Sequence, residues 1–188
     1  MISVVMLASC TGGSLTDEVP DEFPKVIFNT TEGSFTMQLF TRNAPKTCAQ
    51  FLEWCKGVKQ NDGNVLPVYQ GLNFYNIEPG MFIQTGDPFN TGLGQMQYLV
   101  TYEKTYKTSV RGTVFMPNGG TSQNSSIICV LLKDNPKIGE RFTVFAQVTQ
   151  GLEICDLISN APTRYNEKEK LKIPTNPVKI ITVQVVEQ

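Results

Sequence analysis

GLNFYNIEPGMFIQTGDP, residues Gly71 to Pro88, is the stretch on which the reading of the fold turns. It divides into two short strands joined by a Glu78-Pro79-Gly80 turn and closed by Gly86-Asp87-Pro88, because glycine and proline punctuate local structure more strongly than any other residues. Two polar residues, Asn76 and Gln84, stand among its apolar ones. Their presence in such company raises the question of what these two side chains face.

Outward from this hairpin the chain continues as short strands. Upstream, Lys25 to Thr30 and Ser34 to Phe40 flank Thr31-Glu32-Gly33, with Phe35, Met37 and Leu39 alternating at period two, which predicts a β-hairpin. Asn43-Ala44-Pro45 then predicts a helix start with Asn43 as cap, and Cys48, Phe51, Leu52 and Cys55 mark one helical face that ends near Gly57. Lys59 to Asn64 reads as a polar surface excursion. Downstream, Pro88 to Val110 lacks sustained periodicity and predicts a long ordered loop of the kind that often carries function. Thr113 to Met116, Ile127 to Leu132, Phe142 to Val148 and Val178 to Val186 predict further strands, with a Pro117-Asn118-Gly119-Gly120 turn and a short helix over Leu152 to Ile158. Many short strands and two helices predict a mainly β chain, a closed antiparallel β-barrel capped by two α-helices, an architecture that leaves no exposed strand edge.

Composition bounds the function. The chain has 188 residues, enough for one well-filled core and too few for two comfortable domains. Its net charge is −1 with no run of like charges, so no electrostatic footprint for nucleic acid is present. It has no histidine, which excludes hydrolysis by a serine-histidine or cysteine-histidine pair and removes the commonest metal ligand. The five cysteines form no C-x-x-C pair. Cys48 and Cys55 lie seven residues apart on one helix, roughly 10 Å along its axis and too far for a disulfide, so they read as core thiols. Neither a metal nor a cofactor is implied.

The N-terminus differs from the rest. Residues 1–10 are apolar and end in Leu7-Ala8-Ser9-Cys10, which reads either as a lipoprotein signal with Cys10 lipidated or as an apolar arm that docks on a partner. The first reading places the protein in a bacterial cell envelope, lipid-anchored or periplasmic, with membrane contact only through Cys10; otherwise it is cytoplasmic. Residues 11–24 form an acidic connector, and the folded domain is residues 25–188.

Four motifs in order, GSFTMQLF with NAPKTCAQFL, GLNFYNIEPGMFIQTGDP, RGTVFMPNGG and FTVFAQVTQGLEICDLI, make the domain resemble the cyclophilin-type peptidyl-prolyl cis-trans isomerases. The resemblance implies an eight-stranded barrel whose outer face holds proline-containing polypeptides and assists their folding. Rotation about a prolyl bond faces a barrier of roughly 18–20 kcal/mol, and the family lowers it by setting an arginine against the proline nitrogen as amide resonance is lost. Here Asn76 stands at that arginine and Tyr75 at a histidine, while Gln84 matches the family glutamine. As substrate-binding residues the resemblance implies Phe74, Met81 and Phe82 (the family pair in swapped order), Met116, Asn118, Ser126 at a second glutamine, Ile127 at an aromatic with Ile128 beside it, Ile138 at a leucine, and Phe142 at a histidine. An alternative alignment places Ser122-Gln123 at the family serine and glutamine. Lys137 stands near a position where some members carry a tryptophan, so strong cyclosporin binding is not expected. Two readings follow: an isomerase of weak activity, or a non-catalytic module that binds proline-containing peptides or serves as a subunit of a larger protein complex, with the Tyr98 to Lys107 loop and the Gln60 region as its specific surface.

Overall fold

The structure is a computed structural model and describes residues 24–59, 63–92, 94, 96 and 99–187. The expected N-terminal arm with Cys10, the acidic connector up to residue 23, and Gln60 and Tyr98 lie outside the described residues. In chain order the elements are β1 (Lys25–Thr30), β2 (Gly33–Leu39), α1 (Pro45–Lys56), β3 (Val58–Lys59), β4 (Val65–Leu66), β5 (Asn76–Glu78), β6 (Phe82–Thr85), β7 (Val100–Thr101), β8 (Thr113–Met116), β9 (Gln123–Asn124), β10 (Ile128–Leu131), α2 (Lys137–Arg141), β11 (Thr143–Gln150), α3 (Leu152–Ser159), β12 (Thr163–Asn166), β13 (Leu171–Pro174) and β14 (Ile180–Val186).

Eight strands form one curled antiparallel sheet in the order β14-β1-β2-β11-β8-β10-β6-β5. The period-two pattern of β1 and β2 does what it predicts: Val26, Phe28, Phe35, Met37 and Leu39 all point inward and are fully buried. Inside, Phe28 stacks on Phe35 at 5.3 Å, and Phe51 of α1 meets Phe145 of β11 edge-on at 4.9 Å. Helix α1 contributes Cys48, Phe51, Trp54 and Cys55 to this core, and α3 contributes Cys155 and Ile158. The described cysteines are free and buried, and burial pushes the Cys48 and Cys155 thiols up to about 12, so at ordinary pH they act as small apolar side chains.

Three expectations are corrected. The barrel does not close by a strand ladder: β5 is three residues long, and the seam to β14 is spanned by the segment before it. There Phe74 donates its N–H to Val178 at 3.0 Å, Gly71 donates to Ile180 at 2.8 Å, and Asn73 bridges Lys179. Helix α1 is not capped by Asn43, since its N-cap is Ala44, which makes no side-chain cap. A carboxylate from the long loop does that work. Glu103 accepts the N–H groups of Lys46 at 3.2 Å and Thr47 at 2.8 Å, placing a negative charge at the positive end of the helix. A third, short helix, α2, stands beside the two expected ones. The β12–β13 hairpin was not anticipated; β13 lies along β5, the outermost strand of the sheet.

Candidate active-site groove

The outer face of the sheet carries a second apolar cluster of Phe115, Cys129, Leu131 and Val144, against which Phe40, Ile138 and Phe142 pack. Strand β10 is buried on both faces because of it: Ile128 and Val130 go to the interior, Cys129 and Leu131 to this outer cluster. Two hollows open over this face. The first, about 490 Å³, is apolar; Met81, Phe82, Phe115, Cys129, Ile138 and Phe142 line it, with Lys133 and Asp134 also on its wall. The second, about 410 Å³, carries no charged side chain among the described residues; Tyr75, Leu99, Asn118, Gln123, Ser125 and Ile127 are among its lining residues. Gln84 and Pro117 line both, so the two form one continuous groove.

The β5–β6 hairpin sets the polar residues of this groove. Asn76 pairs with Gln84 across it, and both side chains leave the same face of the sheet. Asn76 Nδ2 donates to Gln84 Oε1 at 3.1 Å, Gln84 Nε2 donates to the Tyr75 hydroxyl at 2.7 Å, and the Lys172 N–H of β13 donates to Asn76 Oδ1 at 3.3 Å. Every group in this chain of bonds is neutral. Burial, followed by the nearby Cys129, pushes the Tyr75 phenol well above its ordinary value, and burial does the same to the Cys129 thiol. Lys172 Nζ is taken by Glu78 at 2.7 Å. Arg111 is turned away: its guanidinium holds both carboxylate oxygens of Asp156, at 2.9 and 2.5 Å, and the Leu132 carbonyl at 2.9 Å. The Arg141 guanidinium stands over the Phe142 ring at 5.7 Å, and Asn118 Nδ2 donates to the Arg141 carbonyl at 3.4 Å.

The structure brings together Gln84, Met81, Phe82, Asn118, Ile127, Ile138 and Phe142 along the groove. Asn76 sits one strand further out, beside Gln84 but outside the linings of both hollows. Three expected substrate-binding residues are elsewhere. Phe74 and Met116 are in the interior core. Ser126 is fully buried, its hydroxyl donating to the Gly86 carbonyl at 2.7 Å and its own carbonyl accepting the Tyr69 hydroxyl at 2.9 Å. This brace exists because the chain entering β10 passes very close to Gly86, whose φ is +102° and where a Cβ would lie 2.1 Å from the Ser126 carbonyl oxygen. The groove-facing positions here alternate as Ser125, Ile127 and Cys129, so that Cys129, opposite both Gln84 and Phe115, faces the groove where Ile128 does not.

Among the lining residues that sequence reasoning missed are Tyr75, Phe115, Pro117, Ser125, Cys129 and Leu131. Phe115 stacks on Phe142 at 5.3 Å and forms part of the apolar floor. Its alternation with the inward-facing Val114 and Met116 was the available signal. The wall of the polar hollow is held by buried Asp87, whose carboxylate accepts the N–H of Phe89 at 2.8 Å, of Thr91 at 2.7 Å and of Gly92 at 2.5 Å.

Fold and groove together define a curled β-sheet protein with a peptide-sized cleft on its outer face. Residues 25–185 match the family described as cyclophilin type peptidyl-prolyl cis-trans isomerase/CLD. The chain is 31% identical to a peptidyl-prolyl cis-trans isomerase-like 3 of Gallus gallus, over 85% of this chain and 94% of that one. It is 29% identical to a peptidyl-prolyl cis-trans isomerase-like 1 of Aspergillus fumigatus, over 87% and 96%. A crystal structure of a cyclophilin type peptidyl-prolyl cis-trans isomerase of Cryptosporidium parvum superposes with a TM-score of 0.75 at 22% identity, covering 88% of this chain and 99% of that one. The chain belongs to the cyclophilin-type peptidyl-prolyl cis-trans isomerase family.

Proposed function

We propose that the groove holds proline-containing segments of polypeptides and isomerises them slowly, as an aid to protein folding. The apolar hollow suits the proline ring, since Met81, Phe82, Phe115, Ile138 and Phe142 give it a carbon surface and Gln84 stands at its edge. The same fold in Cryptosporidium parvum was solved in the presence of the dipeptide Ala-Pro, which supports this use of the cleft. The observation that carries the rate assignment is the neutral pair Asn76–Gln84.

When the prolyl amide twists, its nitrogen regains a lone pair, and a donor aimed at that nitrogen stabilises the twisted state alone. A guanidinium does this with full charge and a long reach. An asparagine amide is neutral and short, and hydrogen bonds from charged groups are roughly twice as strong as those between neutral ones. Loss of one well-placed donor costs about 10²–10³ in rate. The rate is expected to fall by that order against a groove that carries the arginine.

A second reading, a non-catalytic binding module or complex subunit, is favoured by one feature: both ends of the Asn76 amide are engaged, one by Gln84 and one by the Lys172 N–H. Titration of the isotopically labelled chain with an X-Pro peptide, read by NMR together with cis/trans exchange of the peptide, tests both. Perturbed signals at Phe82, Phe115 and Phe142 with accelerated exchange are the expected result. Binding without acceleration selects the second reading, and no binding overturns the groove assignment.

A further inference from the structure

Tyr75 is a buried hydroxyl lining the polar hollow with a donor to spare, and so is the shorter Ser125, whose oxygen accepts the Ile127 N–H at 3.4 Å. Tyr75 is 3% exposed and lines the hollow beside Gln84. Its oxygen accepts the Gln84 Nε2 proton at 2.7 Å, while its own proton reaches no acceptor among the described residues. A buried hydroxyl proton without a partner carries a cost, and that cost is recovered when a ligand supplies an oxygen.

The backbone places this proton firmly. The Tyr75 N–H donates to the Gln84 carbonyl at 3.1 Å, so the residue is tied to β6 just before β5 begins. The hydroxyl bond to Gln84 fixes the outer end of the side chain. Burial keeps the phenol neutral at every ordinary pH, so the proton is always present. Among the described residues the hollow around it carries no charged side chain, which suits a neutral acceptor and disfavours an anion that would have to give up its water there without a countercharge.

We propose that Tyr75 is a ligand-binding residue that donates its hydroxyl proton to a backbone carbonyl of the bound peptide, where the peptide crosses from the apolar hollow into the polar one. This rests on the reading of the cleft as a peptide groove. The donor makes the polar hollow a reader of peptide backbone that favours neutral segments.

The test is calorimetric binding of one X-Pro peptide to the full chain, to Tyr75→Phe, to Gln84→Leu and to the double variant. Tyr75→Phe keeps the ring and its packing and is expected to weaken binding about fivefold, with the same loss repeated on the Gln84→Leu background. Equal affinity of Tyr75→Phe and wild type overturns the proposal. So does a loss that vanishes in the double variant, because Tyr75 then acts only by propping Gln84. A second arm needs no variant: the peptide's carbonyls are replaced one at a time by thioamides, which accept hydrogen bonds more weakly. One position is expected to lose affinity on wild type and to lose nothing further on Tyr75→Phe. No sensitive position overturns the proposal. Failure of wild type to bind any X-Pro peptide is a different outcome, which removes the groove reading itself.

Discussion

The two halves of the groove share Gln84 and Pro117 but are built by different rules. The apolar half is a packed object: Phe115 stacks on Phe142, Ile138 comes down from α2, and Cys129 and Leu131 form the floor from β10. The polar half is a wired object, in which Tyr75, Gln84, Asn76 and the β13 backbone pass neutral hydrogen bonds from one to the next. Packing of the first kind is enough to hold a proline ring. Fast acceleration needs charge aimed at a nitrogen, and the described residues of the second half supply none. On the proposed function, holding and accelerating are thus separately encoded, and one can be weakened while the other stays whole.

The apolar half should break hardest. Phe115→Ala removes a ring that is 6% exposed and stacked, and is expected to cost about 3 kcal/mol of stability together with about tenfold in peptide affinity. Denaturant unfolding and peptide titration check both; an unchanged affinity would mean that the proline sits elsewhere.

Asp87→Asn attacks the polar half alone. It removes the carboxylate on which the N–H groups of Phe89, Thr91 and Gly92 converge and should cost about 2 kcal/mol, loosening the Gly92 wall while the apolar hollow keeps its shape. The same group gives a pH signature. Burial by itself raises the Asp87 carboxyl, but the bonds from Phe89, Thr91 and Gly92 outweigh it and leave the group below its ordinary value. Its stabilisation is therefore complete above the unfolded value near 4 and is lost as the pH falls through the lowered folded value. Melting temperature followed from about pH 6 down to about pH 2 should fall more steeply in wild type than in Asp87→Asn.

The smallest effect belongs to neither half. Arg111→Ala breaks a pair whose side chains are 40% and 36% exposed, so screening limits the loss to about 1 kcal/mol. Peptide affinity should not change. A drop in affinity would show Arg111 reaching the groove after all.

Much of this was legible in the sequence, for reasons that can be named. The strands β1, β2, β6 and β8 follow from alternation and from Gly-Pro punctuation, and Gln84 stands out as a polar residue in an apolar strand. The β12–β13 hairpin was not legible, because half of Thr163 to Pro174 is charged and its turn depends on the Asn166 side-chain Oδ1 accepting the Lys168 and Glu169 N–H groups. Helix α1 misled for a similar reason: its cap comes from Glu103, far away along the chain, where a local rule looks only at Asn43. The slip at Ser126 and Ile128 has the same origin. Which of two adjacent apolar residues faces outward in β10 is decided by its register with β6 and β8, and a continuous apolar run carries no alternation to reveal it.

The central claim is that the groove binds proline-containing peptide as a working cyclophilin-type cleft but lacks the charge that speeds rotation. It is tested most directly by measuring prolyl cis/trans exchange and peptide affinity together in wild type and in Asn76→Arg. The account predicts a rate gain on the order of 10²-fold in the variant with affinity little changed. A wild type already as fast as Asn76→Arg, with peptide bound equally well by both, would contradict it.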